Sequence, residues 1–335
     1  MMKRILIVTD AWLPQVNGVV KTLQNTAAEL QRQGFAVGFV TPQAFRTLPC
    51  PTYPDIRLSL CTKAMVARQI DEFAPDALHI STEGPLGWAA RAIALDRGWQ
   101  FTTAYHTRFP EYVASRSPVP VAWAYRLLRS FHAPSAAVMA PTGSIIRDLE
   151  ARRFANVVHW SRGVDHSVFR PDPPAERRHA GPPVFLYAGR VSVEKNIEAF
   201  LRLDLPGEKW VAGDGPALAT LRKRYPDARF LGMKTHAELA DVYRQARVFV
   251  FPSRTDTFGL VLAEAMACGL PVAAYPVPGP VDVVGNGVAG ALDDDLAAAC
   301  RRALNLRPED AIEQGARFTW ETATGQFRKA LVPTR

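Results

Sequence analysis

The chain has 335 residues, of which 48% are hydrophobic and 21% charged, so it is an ordinary globular protein long enough for two domains. No apolar run approaches the roughly 18 residues of a membrane-spanning helix, and the start, MMKRILIVTD, enters a strand pattern without a signal-peptide leader. The four cysteines lack metal-like spacing, so we expect a reduced, cytoplasmic chain. The net charge of +8 suits anionic lipid or phosphorylated ligands, whereas the scattered arginines do not indicate nucleic-acid binding.

Short apolar strands alternate with helical segments along the first half of the chain. The pattern predicts strands over 3–9, 36–41, 77–81, 100–105, 136–140 and 156–160. It predicts a helix that follows the loop Asp10–Gly18 and ends at about Gln33, and further helices over 64–73, 85–97, 121–132 and 144–153. Residues 42–62 are rich in Pro and Thr and predict only a short strand at 56–60. This alternation is typical of a parallel, doubly wound sheet.

A second alternation follows a proline-rich stretch at 169–183, which contains five prolines and few apolar residues, as a linker does. Beyond it the pattern predicts strands over 184–188, 209–212, 229–231, 247–252 and 270–275, with helices between them and a last one at 294–304. We therefore predict an α/β chain of two Rossmann-like domains, 1–168 and 184–317. Ligands of such sheets bind at the carboxyl ends of the strands, so the expected site is a cleft between two facing sheets.

Residues 253–271 (SRTDTFGLVLAEAMACGLP) indicate the end of a strand, a turn and an apolar helix. Thr255 or Asp256 is the predicted N-cap, and Gly269 ends the helix. Glu264 is the one acid inside it, and burying an acid is costly without a partner. On one helix the two acids would lie two turns apart, beside N–H groups suited to an anion. Hydroxyl-binding acids around an anion match a sugar nucleotide; a capping Asp and a Glu paired with Lys or Arg explain the spacing equally well.

Two further loops between strand and helix contain groups that can bind phosphate. GRVSVEKN at 189–196 places Arg190 and Lys195 where they can meet a diphosphate. A solvated helix start with a surface ion pair explains the same residues. GDGP at 213–216 allows close approach of the backbone, yet it lacks the third glycine of GxGxxG and is equally a tight turn.

Gly18, Glu83 and His106 each follow a predicted strand of the first half. A glycine there lets N–H groups approach an anion, Glu83 can bind a hydroxyl, and His106 can carry a proton. Each also has a structural explanation, as a common turn, a helix-dipole partner or a buried histidine. Helix capping explains the acids at 293–295, and no pattern indicates a metal site.

The segment 121–132 (VAWAYRLLRSFH) has a broad apolar side flanked by Arg126 and Arg129. This arrangement fits an amphipathic helix at a membrane surface. It fits an ordinary half-buried helix equally well, and such helices are commoner.

Taken in order, six segments make the chain resemble the family 4 retaining glycosyltransferases of the GT-B fold. They are PQVNGVVKT at 14–22, HTRFPEY at 106–112, WSRGVD at 160–165, GRVSVEKN at 189–196, GDGP at 213–216 and the stretch 253–271. HTRFPEY and WSRGVD resemble most the branch with bacterial GDP-mannose-dependent α-mannosyltransferases and the sulfoquinovosyl- and glucosyl-lipid synthases.

The resemblance implies a role for each matching residue. Arg190 and Lys195 would hold the donor diphosphate, Asp256 the transferred sugar and Glu264 the ribose, while His106 would line the sugar and acceptor pocket. With Arg190, Lys195 and Asp256, His106 completes the implied catalytic set. Further implied donor contacts are Gly18, Gly213, Gly215, Phe230, Leu231, Thr257, Phe258, Gly259 and Leu260. The implied acceptor side consists of Glu83, Arg108 and Tyr112, and residues 318–335 would return to the first domain.

The implied reaction moves a hexose, mannose first and glucose next, from a nucleoside diphosphate sugar to a lipid or glycan hydroxyl with retention. No metal and no cofactor besides the donor substrate would be needed. Anionic membrane at the inner face is an expected partner. The family usually has two glutamates separated by seven residues, whereas in this chain the first of the two acids is Asp256. That departure favours one alternative, a non-catalytic sugar-nucleotide-binding subunit or sensor; a GT-B phosphorylase or sugar-nucleotide epimerase is an alternative enzyme.

Overall fold

The computed structural model describes residues 2–15, 17–50, 53–114, 120–173, 181–285 and 287–335, with the backbone alone for 53–56 and 112–114. The chain forms two units. The first comprises Met1–Ser161 and Trp320–Arg335, and the second comprises Arg162–Thr319. The first unit is therefore discontinuous in sequence, because the whole second unit is inserted before its C-terminal segment.

The first unit has strands β1 (Arg4–Val8), β2 (Ala36–Val40), β3 (Arg46–Cys50), β4 (Tyr53–Leu60), β5 (Ala77–Ile80), β6 (Thr102–Ala104), β7 (Ala137–Ala140) and β8 (Val157–His159). Six of them form a parallel sheet in the order β2-β1-β5-β6-β7-β8. Its central strands are short, apolar and buried, as strands covered on both faces are. The chain order reverses between β1 and β5, which makes this pair the topological switch point.

The hairpin of β3 and β4 pairs antiparallel and lies outside the main sheet. The sequence predicted only its residues 56–60. The first of the two strands was missed because Arg46–Cys50 is largely exposed and therefore shows no apolar alternation.

The helices of the first half are α1 (Gly18–Arg32), α2 (Lys63–Phe73), α3 (Pro85–Asp96), α4 (Phe109–Ala114), α5 (Val121–His132) and α6 (Gly143–Ala151). Side chains cap two of them, since Asn17 accepts from the first turn of α1 and Thr62 from the first turn of α2. Pro85 occupies the first turn of α3. The sequence predicted five of these helices and missed α4, whose six residues are too few for a periodic pattern.

The second unit has strands β9 (Val184–Ala188), β10 (Glu208–Ala212), β11 (Arg229–Gly232), β12 (Val248–Phe251), β13 (Val272–Ala274) and β14 (Gly290–Leu292). They form a parallel sheet in the order β11-β10-β9-β12-β13-β14. Its chain order reverses between β9 and β12. The prediction of two doubly wound parallel sheets is confirmed.

The helices of the second unit are α7 (Ile197–Leu201), α8 (Leu218–Arg224), α9 (His236–Gln245), α10 (Leu260–Ala267), α11 (Pro280–Val283), α12 (Leu296–Ala303) and α13 (Pro308–Ala316), with a 3-10 helix at Val193–Lys195. Helix α10 is apolar and mostly buried, as the sequence predicted. It packs closely on α13, where a Cβ on Gly315 would lie 2.5 Å from the Ala267 nitrogen.

The residues near the start of the second unit, and the helix that follows its end, are both packed against other elements. Phe169, the first residue of the predicted linker, is buried and contacts Tyr243, with ring centroids 6.0 Å apart. Residues 174–180 of that linker lie outside the described residues. After the second unit, helix α14 (Trp320–Ala330) belongs to the first unit. There the Phe327 ring lies 4.8 Å from Trp160 and 4.9 Å from His79.

Candidate functional site

The loops after β9 and β10 are joined by their backbones at the carboxyl end of the second sheet. The Val191 nitrogen donates to the Asp214 carbonyl at 2.8 Å, and the Gly189 nitrogen donates to the Ala212 carbonyl at 2.9 Å. Gly213 has φ +136°, and a Cβ there would lie 1.9 Å from the Gly189 carbonyl oxygen. Only glycine allows so close an approach. GRVSVEKN and GDGP, predicted as separate loops, therefore form one backbone framework.

The variant Gly213→Ala should be strongly destabilised, because the methyl group would overlap the Gly189 carbonyl and the backbone would be strained. We expect a loss of about 3 kcal/mol in the free energy of unfolding, measured by urea denaturation. Gly232→Ala is the matched control, since Gly232 has φ +70° but no atom within 4 Å of its Cβ position. It should lose only about 1 kcal/mol. Equal losses in the two variants would contradict the close contact.

Arg190 lies beside Gly189 in the loop after β9 and is half-buried. Its backbone carbonyl accepts a hydrogen bond at 2.8 Å from the hydroxyl of Tyr187, a buried residue of β9. This bond fixes the path by which the chain leaves the strand. A guanidinium held in such a loop can bind two phosphate oxygens at once.

Lys195 and Asp256 form an ion pair across the switch point of the second sheet. The Lys195 Nζ donates to Asp256 Oδ1 at 2.5 Å, and the side chains are 20% and 17% exposed. Beside them the Asn196 side chain donates to the Pro252 carbonyl at 3.1 Å, which ties the loop after β9 to the loop after β12. Solvent ions screen such a partly buried pair only weakly. The structure thus brings together two predicted site residues 61 positions apart.

The predicted N-cap of α10 is wrong. The helix begins at Leu260, and Gly259 precedes it in the left-handed region with φ +80° and no capping side chain. Thr255 and Asp256 instead lie in the loop after β12, so their spacing to Glu264 is not that of a single helix. The buried Asp256 Oδ2 and Thr255 Oγ1 have no hydrogen-bond partner among the described residues. A buried polar atom without a partner is costly, so these two atoms mark this loop as unusual.

Glu264 lies inside α10 and is buried. The hydroxyl of Tyr243 on α9 donates to its Oε2 at 3.5 Å. Burial raises the pKa of Tyr243 well above its ordinary value, and the negative charge of Glu264 raises it further. The tyrosine therefore stays protonated and remains a donor to this carboxylate.

The other predicted donor contacts occupy the same edge of the second sheet. Phe258 is buried against Phe318, with ring centroids 5.4 Å apart, so any ligand contact would come from its backbone. Thr257 is buried as well. The remaining predicted donor-contact residues of this unit are half-buried: Gly215, Phe230, Leu231, Gly259 and Leu260.

In the first unit, Asp10 joins the loops at the switch point between β1 and β5. Its carboxylate accepts from the nitrogens of Leu86 at 2.9 Å and Gly87 at 3.3 Å, and from the Thr82 hydroxyl at 3.0 Å. Burial raises the pKa of Asp10, against the hydrogen bonds that lower it. Asp10 was not among the site residues predicted from the sequence. An acid directly after a buried strand was the available signal.

Gly18 is the first residue of α1, but the Asn17 side chain already uses the first helix donors. Asn17 Oδ1 accepts from the nitrogens of Val19 and Val20, both at 3.0 Å. A ligand at Gly18 would have to share this end of the helix with the asparagine.

His106 and Glu83 are both half-buried and hydrogen-bonded. The Nε2 of His106 lies 2.8 Å from the Ser81 hydroxyl, and its ring lies 5.5 Å from that of Trp160. Glu83 Oε1 lies 3.2 Å from the Nε2 of His132, a buried residue that was not among the predicted site residues.

Arg108 belongs to a polar network around α4. It donates to Glu111 at 3.2 Å and to Asp148 at 3.4 Å, and the Tyr125 hydroxyl donates to the same Glu111 oxygen at 2.8 Å. Burial, with a further contribution from Glu111, raises the pKa of Tyr125 to about 12. Tyr112 lies in α4, and its side chain is outside the described residues.

Among residues 2–335 as far as they are described, no three His, Cys, Asp or Glu side chains lie close enough to hold a metal ion. Of the acids at 293–295, Asp295 caps helix α12, in agreement with the prediction. Asp295 Oδ1 accepts from the nitrogens of Ala297 and Ala298 at the start of α12.

Known families match both halves of the chain. A model described as Glycosyltransferase Family 4 matches residues 16–168, and one described as Glycosyl transferases group 1 matches residues 182–306. Sulfoquinovosyl transferase of Arabidopsis thaliana is 29% identical and covers 96% of this chain and 72% of its own length. A GDP-mannose-dependent α-mannosyltransferase of Mycobacterium tuberculosis is 29% identical, covering 84% of this chain and 81% of its own. The α-monoglucosyldiacylglycerol synthase of Streptococcus pneumoniae is 28% identical, with 98% and 84% covered.

Solved structures share the whole fold. Sucrose-phosphate synthase from Thermosynechococcus elongatus superposes with a TM-score of 0.73 at 19% identity and covers 98% of each chain. Anabaena HepE in complex with UDP and glucose has a TM-score of 0.73 at 17% identity, with 98% of this chain and 99% of that chain covered. The chain therefore belongs to the glycosyltransferases of the GT-B fold, with a Glycosyltransferase Family 4 domain followed by a glycosyl transferases group 1 domain.

Proposed function

We propose that this enzyme transfers a hexose from a nucleoside diphosphate sugar to a hydroxyl of a lipid or glycan acceptor, with retention of anomeric configuration. The observation that carries the proposal is the Lys195–Asp256 pair at the switch point of the second sheet. A cation for the diphosphate and an acid for sugar hydroxyls are the groups that such a donor requires. Ligands of open α/β sheets bind at this edge.

Arg190 and Lys195 would supply the positive charge in the donor reaction. As the bond between the anomeric carbon and the phosphate oxygen breaks, negative charge grows on the departing diphosphate. The two side chains would stabilise that charge without a metal ion. Asp256 would bind hydroxyls of the transferred sugar, Glu264 would bind the ribose, and the chain at Phe230 and Leu231 would contact the base.

The acceptor side would be provided by Glu83, His106 and Arg108 of the first unit. A new bond forms between the acceptor oxygen and the anomeric carbon on the face from which the diphosphate leaves. The acceptor proton passes to the departing phosphate oxygen, so that atoms and charge balance. Retention of configuration follows from attack on that same face.

The names of the relatives support a ranking of donors. Three of the matched relatives are named GDP-mannose-dependent α-mannosyltransferase, whereas one is named for sulfoquinovose and one for a glucosyl lipid. A structural neighbour was solved in complex with UDP-glucose. We therefore place GDP-mannose first and UDP-glucose next.

A donor screen tests the proposal. Thermal shifts are measured with GDP, UDP and their sugars, and the donor that stabilises the protein is then offered with lipid and glycan acceptors. We expect transfer that withstands EDTA, and an α-linked product from an α-linked donor by NMR. A β-linked product would contradict retention, and loss of activity in EDTA that added metal restores would contradict metal independence.

Helix α5 supports contact with an anionic membrane. Trp123 is 60% exposed and Leu127 44% exposed, one helical turn apart, and Arg126 between them is exposed as well. Aromatic and apolar side chains next to basic ones suit the interface of an anionic bilayer. The contact that we propose is peripheral and is made by the exposed face of α5. No helix within the described ranges is long and apolar enough to cross a bilayer.

Replacing Trp123 and Leu127 together with glutamate should weaken binding to phosphatidylglycerol vesicles at least about tenfold, measured by flotation. The change removes apolar contact and adds charge repelled by the anionic surface. Leu95→Glu is the matched control, since Leu95 on α3 is also 44% exposed. Equal effects of the glutamates on the two helices would contradict a specific role of α5.

A further inference from the structure

His132 is a buried histidine whose two ring nitrogens both have polar neighbours. It is the last residue of α5, and its ring lies against those of Phe131 and Phe154, with centroids 5.0 and 5.8 Å away. Its Nδ1 lies 2.8 Å from the Thr103 hydroxyl, and its Nε2 lies 3.2 Å from Glu83 Oε1. Which nitrogen carries hydrogen follows from the neighbouring hydroxyl groups.

Two hydroxyl groups determine the state of Nδ1. Ser135 Oγ donates to the His132 carbonyl at 2.7 Å, and Thr103 Oγ1 donates to Ser135 Oγ at 3.1 Å. Each hydroxyl has one hydrogen to give. The Thr103 hydrogen is directed to Ser135 Oγ, with the Ala137 carbonyl at 3.5 Å as its other acceptor, so the Thr103 oxygen accepts from His132 and Nδ1 carries a hydrogen.

A second proton must then lie between Nε2 and Glu83. Without it, a lone pair on the buried His132 nitrogen would face a partly buried carboxylate oxygen, at a cost in free energy. On the histidine, this proton is donated from Nε2 to the Glu83 carboxylate as a charge-assisted hydrogen bond. The position of His132 at the C-terminal end of α5 also favours a cation, because the helix dipole is negative there.

We propose that His132 is a positioning residue, held as an imidazolium, that orients Glu83 as the carboxylate that binds the acceptor hydroxyl. The assignment rests on the proposed function and deepens it. Glu83 follows β5 at the switch point, and its side chain is 22% exposed, so a ligand can reach it. The cation also offsets the repulsion between Glu83 and the nearby buried Asp10, whose pKa burial raises, with a smaller contribution from the Glu83 charge.

Nuclear magnetic resonance tests the protonation state without any substrate. In the full chain labelled with ¹⁵N-histidine at neutral pH, the His132 signals are identified by their loss in His132→Gln. We expect both ring nitrogens of His132 to be protonated in the unsubstituted protein. In Glu83→Gln we expect only Nδ1 to be protonated, because the glutamine amide can donate a hydrogen bond to Nε2. An unprotonated ring nitrogen in the unsubstituted protein would overturn the assignment.

Transfer kinetics test the role in acceptor binding. His132→Gln should raise the acceptor KM at least about tenfold and leave the donor KM within about twofold. The double variant with Glu83→Gln should be no worse than Glu83→Gln alone, because both changes remove one function. His159→Gln, at an exposed histidine of β8, is the control.

Equal rises in donor and acceptor KM would mean that His132 acts only through the fold, and would overturn the positioning role. If no donor supports transfer by the unsubstituted protein, the proposed function fails, whereas the resonance experiment still decides the state of the His132–Glu83 pair.

Discussion

Replacing Lys195 with alanine should lower kcat for sugar transfer by about 100- to 1,000-fold, the usual effect of removing one preorganised electrostatic group. The Lys195 Nζ is held 2.5 Å from Asp256 in a partly buried site, where its charge is little screened. In the proposed reaction that charge is needed most as the diphosphate departs. The donor KM should therefore change less than kcat, which initial-rate kinetics with both substrates varied will measure.

The matched control is Lys223→Ala, at an exposed lysine on α8 of the same unit, and it should leave both constants within about twofold. Arg190→Ala should resemble Lys195→Ala. The double variant should fall short of the product of the two single effects, because both cations would serve one leaving group. A Lys195→Ala enzyme with near-normal kcat would show that the diphosphate is bound elsewhere.

Asp256→Asn should lower kcat/KM by at least about 100-fold, with the charge lost but the size kept. One carboxylate oxygen holds Lys195, and the other is buried with no partner among the described residues. Removing the charge leaves the Lys195 ammonium partly buried without its counter-ion, which is costly. The sugar would lose a hydroxyl acceptor as well. Kinetics with GDP-mannose and UDP-glucose side by side measure both consequences.

Two further variants show whether the effect is specific to Asp256 and whether it depends on the negative charge. Asp294→Asn, at an exposed acid before α12, should have no effect. Asp256→Glu keeps the charge and restores the residue usual in the family, so we expect it to retain transfer within about tenfold and to change the ratio of kcat/KM between the two hexose donors. If Asp256→Asn kept full activity, the acid would only be a partner for the lysine.

Much of the fold could be predicted because buried parallel strands are short apolar runs and the helices between them are amphipathic. The segments 184–188 and 121–132 were predicted to the residue. The exposed hairpin and the short helices were missed, because the periodic apolar pattern is weak or absent in them. Capping of α10 was mispredicted because Gly259, which has no side chain, occupies the N-cap position, so that Thr255 and Asp256 lie in the loop before the helix.

Distance in sequence limited what could be predicted of the candidate site. Lys195 and Asp256 were both named, yet their contact depends on β9 and β12 being neighbours, which strand patterns alone do not determine. The partners of Asp10 lie 72 to 77 positions away. His132 looked like one more residue on an amphipathic helix. Its significance comes from Glu83, 49 positions earlier.

The interrupted sequence of the first unit has a consequence for protein synthesis. The second unit is continuous, so a ribosome that has released residue 319 has released all of it. At that moment the first unit still lacks α14, and the space between His79 and Trp160 lacks the Phe327 ring. Missing a phenylalanine side chain in a core costs about 3–5 kcal/mol. The part of the protein made first is therefore the last to complete its core, and a chain that stops before residue 320 has a complete second unit beside an incomplete first one.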